Sequence, residues 1–161
     1  MTWGDFEAAA PALADRAQVR LEETRVALLG TIRADGSPRI SPIEPYFAPG
    51  VLLLGAMASS AKARDLLRDA RCVLHSVVTA PDAGEPEFKL YGRAAEVTEP
   101  SLRDVRAPTR GGWPTPPDAA RVFAFEVEEA TAVAWALDRG EMTVTSWSPA
   151  RGVSEATRRY P

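Results

Sequence analysis

The sequence predicts a mainly β fold with short helices, an antiparallel barrel closed or partly closed on itself. Three observations carry this. From Val26 onward apolar residues recur with period two or in short continuous runs. Tight turn sequences join consecutive runs, which makes the strands an antiparallel meander. Neighbours such as Leu28 with Leu29 and Leu53 with Leu54 put apolar side chains on both faces of a strand, so the outer face of the sheet needs a cover.

The elements follow in chain order. Before the first strand, Phe6, Ala9, Ala10, Leu13, Ala17 and Leu21 fall at spacings of three and four, which predicts an N-terminal helix within residues 1–22, broken at Pro11. Strands are predicted over Val26–Ile32, Arg39–Phe47 and Val51–Met57. Ala34-Asp35-Gly36-Ser37 joins the first two, and Ala48-Pro49-Gly50 joins the second pair. Ser59 to Arg68 has helix grammar, with Ser59 or Ser60 as the cap and Leu66 and Leu67 available for the core. Arg71–Val78 returns to strand, Thr79–Pro86 is a turn, and Glu87–Val97 is its hairpin partner. A short helix over Ser101–Arg106 and a proline-rich loop over Pro108–Asp118 follow. Two more strands, Arg121–Val127 and Thr131–Leu137, lead through Asp138-Arg139-Gly140 into a last strand, Glu141–Trp147, and residues 149–161 form a polar tail.

At 161 residues the chain is long enough for one domain with one core, spanning residues 1–161. Lys and Arg total 19 against 22 Asp and Glu, a formal net charge of −3, which argues against nucleic acid as a partner. No uninterrupted apolar run, Val51 to Leu54 included, comes near the roughly 20 residues of a membrane helix, and the first residues carry no basic, apolar leader. A cytoplasmic protein without a membrane anchor is expected. Cys72 and His75 are single, so neither a disulfide framework nor the usual zinc ligand set is expected. The uncovered sheet face predicts a homodimer, with the N-terminal helix supplying part of the cover, and a monomer covered by its helices is the alternative.

Chemistry is suggested where the strand Val51–Met57 runs into the helix opening Ser59-Ser60-Ala61-Lys62-Ala63-Arg64. Lys62 and Arg64 there oppose the helix dipole unless an anion is present. A phosphate would take backbone N–H groups and serine hydroxyls while the cations neutralise it. The plainer alternative pairs Lys62 with Asp65 and leaves Arg64 in solvent. Arg33 and Arg39 flank the first hairpin turn and could reach the same ligand. Ser41-Pro42 interrupts the second strand where proline cannot donate to a ladder, which suggests an edge whose backbone groups face a ligand or solvent. His75 reads as structural, Cys72 as a small buried hydrophobe and Trp135 as core. Trp113 and Trp147 are flat surfaces on which a planar ligand could stack, although packing is the commoner use of both. No triad elbow, phosphate loop or dinucleotide fingerprint occurs.

The run VALLGTIRADGSPRISPI, Val26 to Ile43, followed by AKARDLLRDAR, Ala61 to Arg71, closely resembles the pyridoxamine 5'-phosphate oxidase-like split-barrel family of flavin and deazaflavin oxidoreductases. The similarity is strongest from Val26 to Val97. The resemblance implies a homodimeric split barrel with FMN, or in some branches the deazaflavin cofactor, at the dimer interface. It implies a cofactor phosphate at Ser60 and Lys62 with Arg64 nearby, and a flavin lined by Arg39, Ile40, Ser41, Pro42, Met57 and Ala58, with Trp147 also placed at the cofactor. It implies hydride transfer to or from a small organic substrate with no acid–base residue assigned, since the flavin itself does that chemistry. A non-catalytic flavin- or haem-binding role is the alternative. The tail WSPARG, Trp147 to Gly152, departs from the longer arginine-bearing segment of the vitamin B6 oxidases.

Overall fold

The computed structural model describes residues 1–80, 84–99, 102 and 119–159. Two helices open the chain, α1 (Trp3–Ala9) and α2 (Pro11–Thr24), and the break falls at Ala10-Pro11 as expected. Thr2 caps α1 in a reciprocal capping box with Asp5, and Pro11 sits at the first position of α2, where its missing N–H costs nothing. The strands are β1 (Ala27–Ile32), β2 (Pro38–Ala48), β3 (Val51–Met57), β4 (Arg71–Ser76), β5 (Glu87–Glu96), β6 (Ala120–Ala136), β7 (Glu141–Ser148) and β8 (Gly152–Arg159). Helix α3 (Ala61–Arg68) stands between β3 and β4, and a 3-10 turn over Leu137–Arg139 joins β6 to β7.

All pairings are antiparallel, in the order β3-β2-β1-β4-β5-β6-β7-β8, and β3 also pairs with β6. That extra pairing closes six strands into a barrel. Strand β6 makes closure possible by its length: Ala120 to Phe125 pair with β3, whereas Ala130 to Ala136 pair with β7. The two strands expected over Arg121–Val127 and Thr131–Leu137 are therefore one. The Glu128-Glu129-Ala130 stretch that looked like a break is a β-bulge, because Tyr91 faces Glu129 while Gly92 faces Val127, leaving Glu128 without a partner on β5. The polar tail is corrected too. Residues 152–159 form β8, which pairs along the whole of β7 yet is exposed throughout, so it shows no apolar alternation to read.

The barrel interior is filled from alternate positions. Leu29, Ile43, Leu52, Leu54, Leu74, Leu90, Phe123 and Phe125 share one cluster with Trp3, Phe6, Leu13 and Leu21. The N-terminal helices thus pack against the inward-facing residues; they do not cover the outer sheet face, as had been expected. On the other face Tyr46, Ala48 and Leu53 form a second cluster under Val97 and Leu102. Trp135, expected in the core, is half-buried, and Leu137 beside it is exposed. Arg20 of α2 donates to the Val77 carbonyl at 2.6 Å and pairs with Glu85, whose carboxylate also accepts from the Thr79 and Ala80 amides at 2.6 Å. This ties α2 to the end of the β4–β5 hairpin. The helix expected over Ser101–Arg106, apart from Leu102, and the loop Pro108–Asp118 with Trp113 lie outside the described residues.

Candidate functional site

Strands β2 and β3 pair only from Glu44 with Gly55 to Ala48 with Val51. Beyond that point they part. β2 continues from Ile43 back to Pro38 with β1 alone as its partner, while Ala56 and Met57 pair with β6. The edge of β2 turned away from β1 is therefore open over Pro38–Ile43 among the described residues, as Ser41-Pro42 led one to expect. Helix α3 lies beside this opening.

Three residues spaced three apart tie α3 to it. Lys62 Nζ donates to the Pro42 carbonyl at 2.6 Å, Asp65 accepts from Arg39 and Thr31, and Arg68 donates to the Ile32 carbonyl. Such spacing keeps residues on adjoining parts of one helix face. The Lys62 bond shows that the Pro42 carbonyl points out of the open edge. Period two gives the Ile40 backbone groups the same direction, so one amide and two carbonyls face the gap. Burial lowers the Lys62 amine below its ordinary value, and the charge of Glu44 offsets part of this. The alternative pairing of Lys62 with Asp65 is not made.

Ser60 is the N-cap of α3, and its hydroxyl accepts from the Ala63 amide at 3.3 Å. Arg64 folds back so that its Nη1 donates to the Ser59 carbonyl at 2.5 Å. Ala58 is half-buried, with its amide on the Ala119 carbonyl at 2.8 Å, and Met57 beside it is exposed. Along β2, Arg39 and Ser41 are half-buried and Ile40 and Pro42 are exposed, Ile40 by 73%. The structure thus brings Arg39, Ile40, Ser41, Pro42, Ser60, Lys62 and Arg64 to one place, with Met57 and Ala58 at the strand-to-helix junction. It does not bring Trp147. That ring is 3% exposed and lies 4.8 Å from the Phe6 ring, so α1 takes the face a planar ligand would need.

Sequence reasoning did not foresee Asp65 as the hub of the site. The carboxylate is 4% exposed, and its Oδ2 accepts from Thr31 Oγ1 at 3.0 Å and Arg39 Nε at 2.7 Å while Oδ1 accepts from Arg68 at 3.2 Å. Burial by itself would raise its pKa, but the hydrogen bonds from Arg39, Thr31 and Arg68 outweigh burial and hold it below the ordinary value. Its partners lie 34, 26 and three residues away, so only the nearest was within reach of local reading. Arg33, Arg39, Arg64 and Arg68 line a cleft of about 370 Å³ around this carboxylate.

Two groups singled out by type sit elsewhere. The His75 Nδ1 lies 2.6 Å from the Ser76 carbonyl and its Nε2 3.8 Å from Glu87, an arrangement within the β4–β5 hairpin. Cys72 is packed against the core, where burial and then the charge of Glu128 push its thiol up to about 12. Alkylation of Cys72 by iodoacetamide at pH 8 is expected to be at least tenfold slower in the native protein than in urea, because so little thiolate forms. Equal rates, followed by mass spectrometry, would remove the basis for calling it inert. No cluster of metal-ligating side chains occurs among the described residues, and no described helix is long and apolar enough to cross a membrane.

Comparison with known proteins identifies the family and the fold. A family model described as pyridoxamine 5'-phosphate oxidase matches residues 13–136. No curated protein matches the chain. Among solved structures, PhzG from Burkholderia lata 383, in complex with tetrahydrophenazine-1-carboxylic acid, superposes with a TM-score of 0.66 at 14% identity, covering 96% of this chain and 92% of that one. A pyridoxamine 5'-phosphate oxidase-related, FMN-binding protein from Nostoc punctiforme PCC 73102 gives 0.62 at 11% identity, covering 93% and 96%. A NimC/NimA family protein from Clostridium acetobutylicum gives 0.58 at 15%, covering 88% and 92%. At these identities the structural likeness speaks for the fold.

Proposed function

The chain belongs to the pyridoxamine 5'-phosphate oxidase family, and from that premise we propose that it is a homodimeric, FMN-dependent oxidoreductase acting on a small organic substrate. The observation that carries the reading is the open edge of β2 over Pro38–Ile43 with the first turn of α3 beside it. A flavin nucleotide has one phosphate and one planar ring whose polar rim both donates and accepts. The residues present fit that pattern. Ser60, the free amides at the start of α3 and the Lys62 ammonium suit the phosphate, with Arg39 at the flank. The Ile40 amide and the outward carbonyls of Ile40 and Pro42 suit the ring's polar rim, while the Ile40 and Pro42 side chains and Met57 offer apolar contact.

FMN supplies hydride transfer when bound, so the chain's own task is to hold the ring, exclude water from it and leave one face for substrate. No acid or base among the described residues is required for that. A second copy would supply the missing wall. Ile40, Leu28 and Tyr91 are exposed on the outer face of adjoining strands, aligned through Ile40 opposite Gly30, Gly30 opposite Val73 and Val73 opposite Tyr91. Apolar side chains in the middle of a sheet face, next to the cofactor edge, support a partner that covers both.

Lys62→Ala tests the phosphate assignment. FMN affinity is expected to fall about tenfold or more, as for loss of a charge-assisted bond, while riboflavin, which has no phosphate, binds both proteins alike. A titration followed by flavin fluorescence reads this directly. Unchanged FMN affinity with an intact fold would remove Lys62 from the site. Absorption spectra with FMN and, separately, the deazaflavin cofactor distinguish the cofactor alternatives, and a bound chromophore that no electron donor reduces would favour a carrier over an enzyme.

A further inference from the structure

The cleft between α3 and the β1–β2 turn holds more positive charge than one cofactor phosphate needs. Four arginines line it: Arg33 from the β1–β2 turn, Arg39 from β2, and Arg64 and Arg68 one helical turn apart on α3. Two carboxylates, Asp35 and Asp65, stand with them, which leaves a formal surplus of two positive charges in a chain whose net charge is −3. The surplus is what remains after both carboxylates are counted, and the charge of Asp35 already acts on Arg33. The Asp65 oxygens are filled by Thr31, Arg39 and Arg68. Asp35 accepts from the Ser37 amide at 2.9 Å and the Ser37 hydroxyl at 2.6 Å, an internal turn arrangement.

The arginines are only partly spent. Arg39 engages Asp65 through Nε, so its terminal nitrogens keep donors to offer. Arg64 uses one terminal nitrogen on the Ser59 carbonyl. The Arg33 guanidinium makes no hydrogen bond or ion pair among the described residues, although the nearby charge of Asp35 acts on it. Like charges at an i, i+4 spacing on a helix, here Arg64 and Arg68, repel. Adding Arg33 and Arg39 to the same concavity compounds that repulsion unless an anion lies among them. Planar guanidinium forks match the oxygens of a phosphate, and a cleft of about 370 Å³ leaves room for the group that carries it.

We propose that this arginine cleft is a second anion site, bordering the phosphate position at the start of α3 and sharing Arg39 and Arg64 with it, and that it takes a phosphate group borne by a second small molecule or by a longer cofactor tail. The word "second" rests on the flavin reading; the anion binding of the cleft does not. Arg33 is the residue to alter, since it lies away from the β2 edge and its part in the β1–β2 turn is made by backbone groups that a side-chain substitution keeps.

The test is calorimetric titration of inorganic phosphate into the full chain, with and without saturating FMN, for the wild type, Arg33→Ala and Arg33→Glu. The wild type is expected to bind phosphate in the presence of FMN, Arg33→Ala about tenfold more weakly, and Arg33→Glu without detectable heat, while FMN affinity changes less than twofold in both variants. Phosphate displaced by the deazaflavin cofactor but not by FMN would assign the cleft to a longer tail. Phosphate retained beside either cofactor would assign it to a separate molecule. The proposal is overturned if FMN competes with phosphate one for one, which would make the cleft the flavin phosphate site, or if Arg33→Glu binds phosphate as the wild type does. Arg33-dependent phosphate binding in a chain that takes no flavin would leave the cleft standing and sink the flavin reading instead.

Discussion

Gly92→Ala is expected to destabilise the fold severely. Gly92 sits where β5 meets the bulge of β6, and a methyl group there would lie on top of the Glu126 carbonyl oxygen, 3.0 Å from its carbon and 3.1 Å from Phe125 Cε1. The obstacle is backbone in the middle of a ladder, so it cannot turn aside as a side chain would. Relief requires β5 and β6 to separate, and β6 is the strand that closes the barrel onto β3. A penalty of at least about 4 kcal/mol is expected, a large share of the stability of an ordinary domain. Gly36→Ala is the control. Its φ of 83° makes alanine strained, but nothing lies within 4 Å, so a loss of only about 1 kcal/mol is expected. Thermal unfolding followed by circular dichroism separates the two. A melting temperature for Gly92→Ala within a few degrees of the wild type would show that the bulge yields more easily than its geometry indicates.

Asp65→Ala carries the second large effect, and it falls on fold and cleft together. Removing the carboxylate strands the buried Thr31 hydroxyl and leaves the Arg39 guanidinium without its counter-charge, a change expected to cost about 3 kcal/mol. Asp65→Asn keeps one acceptor oxygen and should lose less, but its amide would point donors at either Arg68 or the Thr31–Arg39 pair. The pH dependence follows from the direction of the shift. The folded carboxyl titrates below its ordinary 3.8, so the folded state favours the charged form. That contribution is complete above the ordinary carboxylate range and disappears as pH falls through the lowered folded value. The stability gap between wild type and Asp65→Asn, read from urea unfolding, should therefore be full at pH 7 and shrink below about pH 4. A gap that does not change over that range would mean that the arginines, not the charge of Asp65, organise the cleft.

Much of this protein was open to local reading because its signals are local. The N-terminal helices, the first five strands and α3 were legible from apolar spacing, a serine cap and glycine at turns, since those patterns record which faces meet the core. The open edge of β2 was legible in Ser41-Pro42, because proline's missing donor is a property of the residue itself. The weakest readings were of segments whose state depends on a neighbour. Strand β8 has no buried face, and it is a strand because β7 offers it a full ladder. Glu128 looks like a break until Gly92 on another strand accepts the bulge. Trp147 has the chemistry of a stacking platform, and only the arrival of Phe6 from the far end of the chain turns it into core.

The site divides in the same way. The sequence by itself determined the strand-to-helix junction with Ser60 and Lys62, because a cap and a misplaced cation are read within one turn of helix. Only the tertiary structure decided that Lys62 would turn to a β2 carbonyl and that Asp65 would gather Thr31, Arg39 and Arg68. It also decided that four arginines from a turn, a strand and a helix would share one cleft. Electrostatic pairing acts through space over a few ångströms, whereas the partners here are separated by up to 34 residues of chain, so the folded topology alone sets which charges meet.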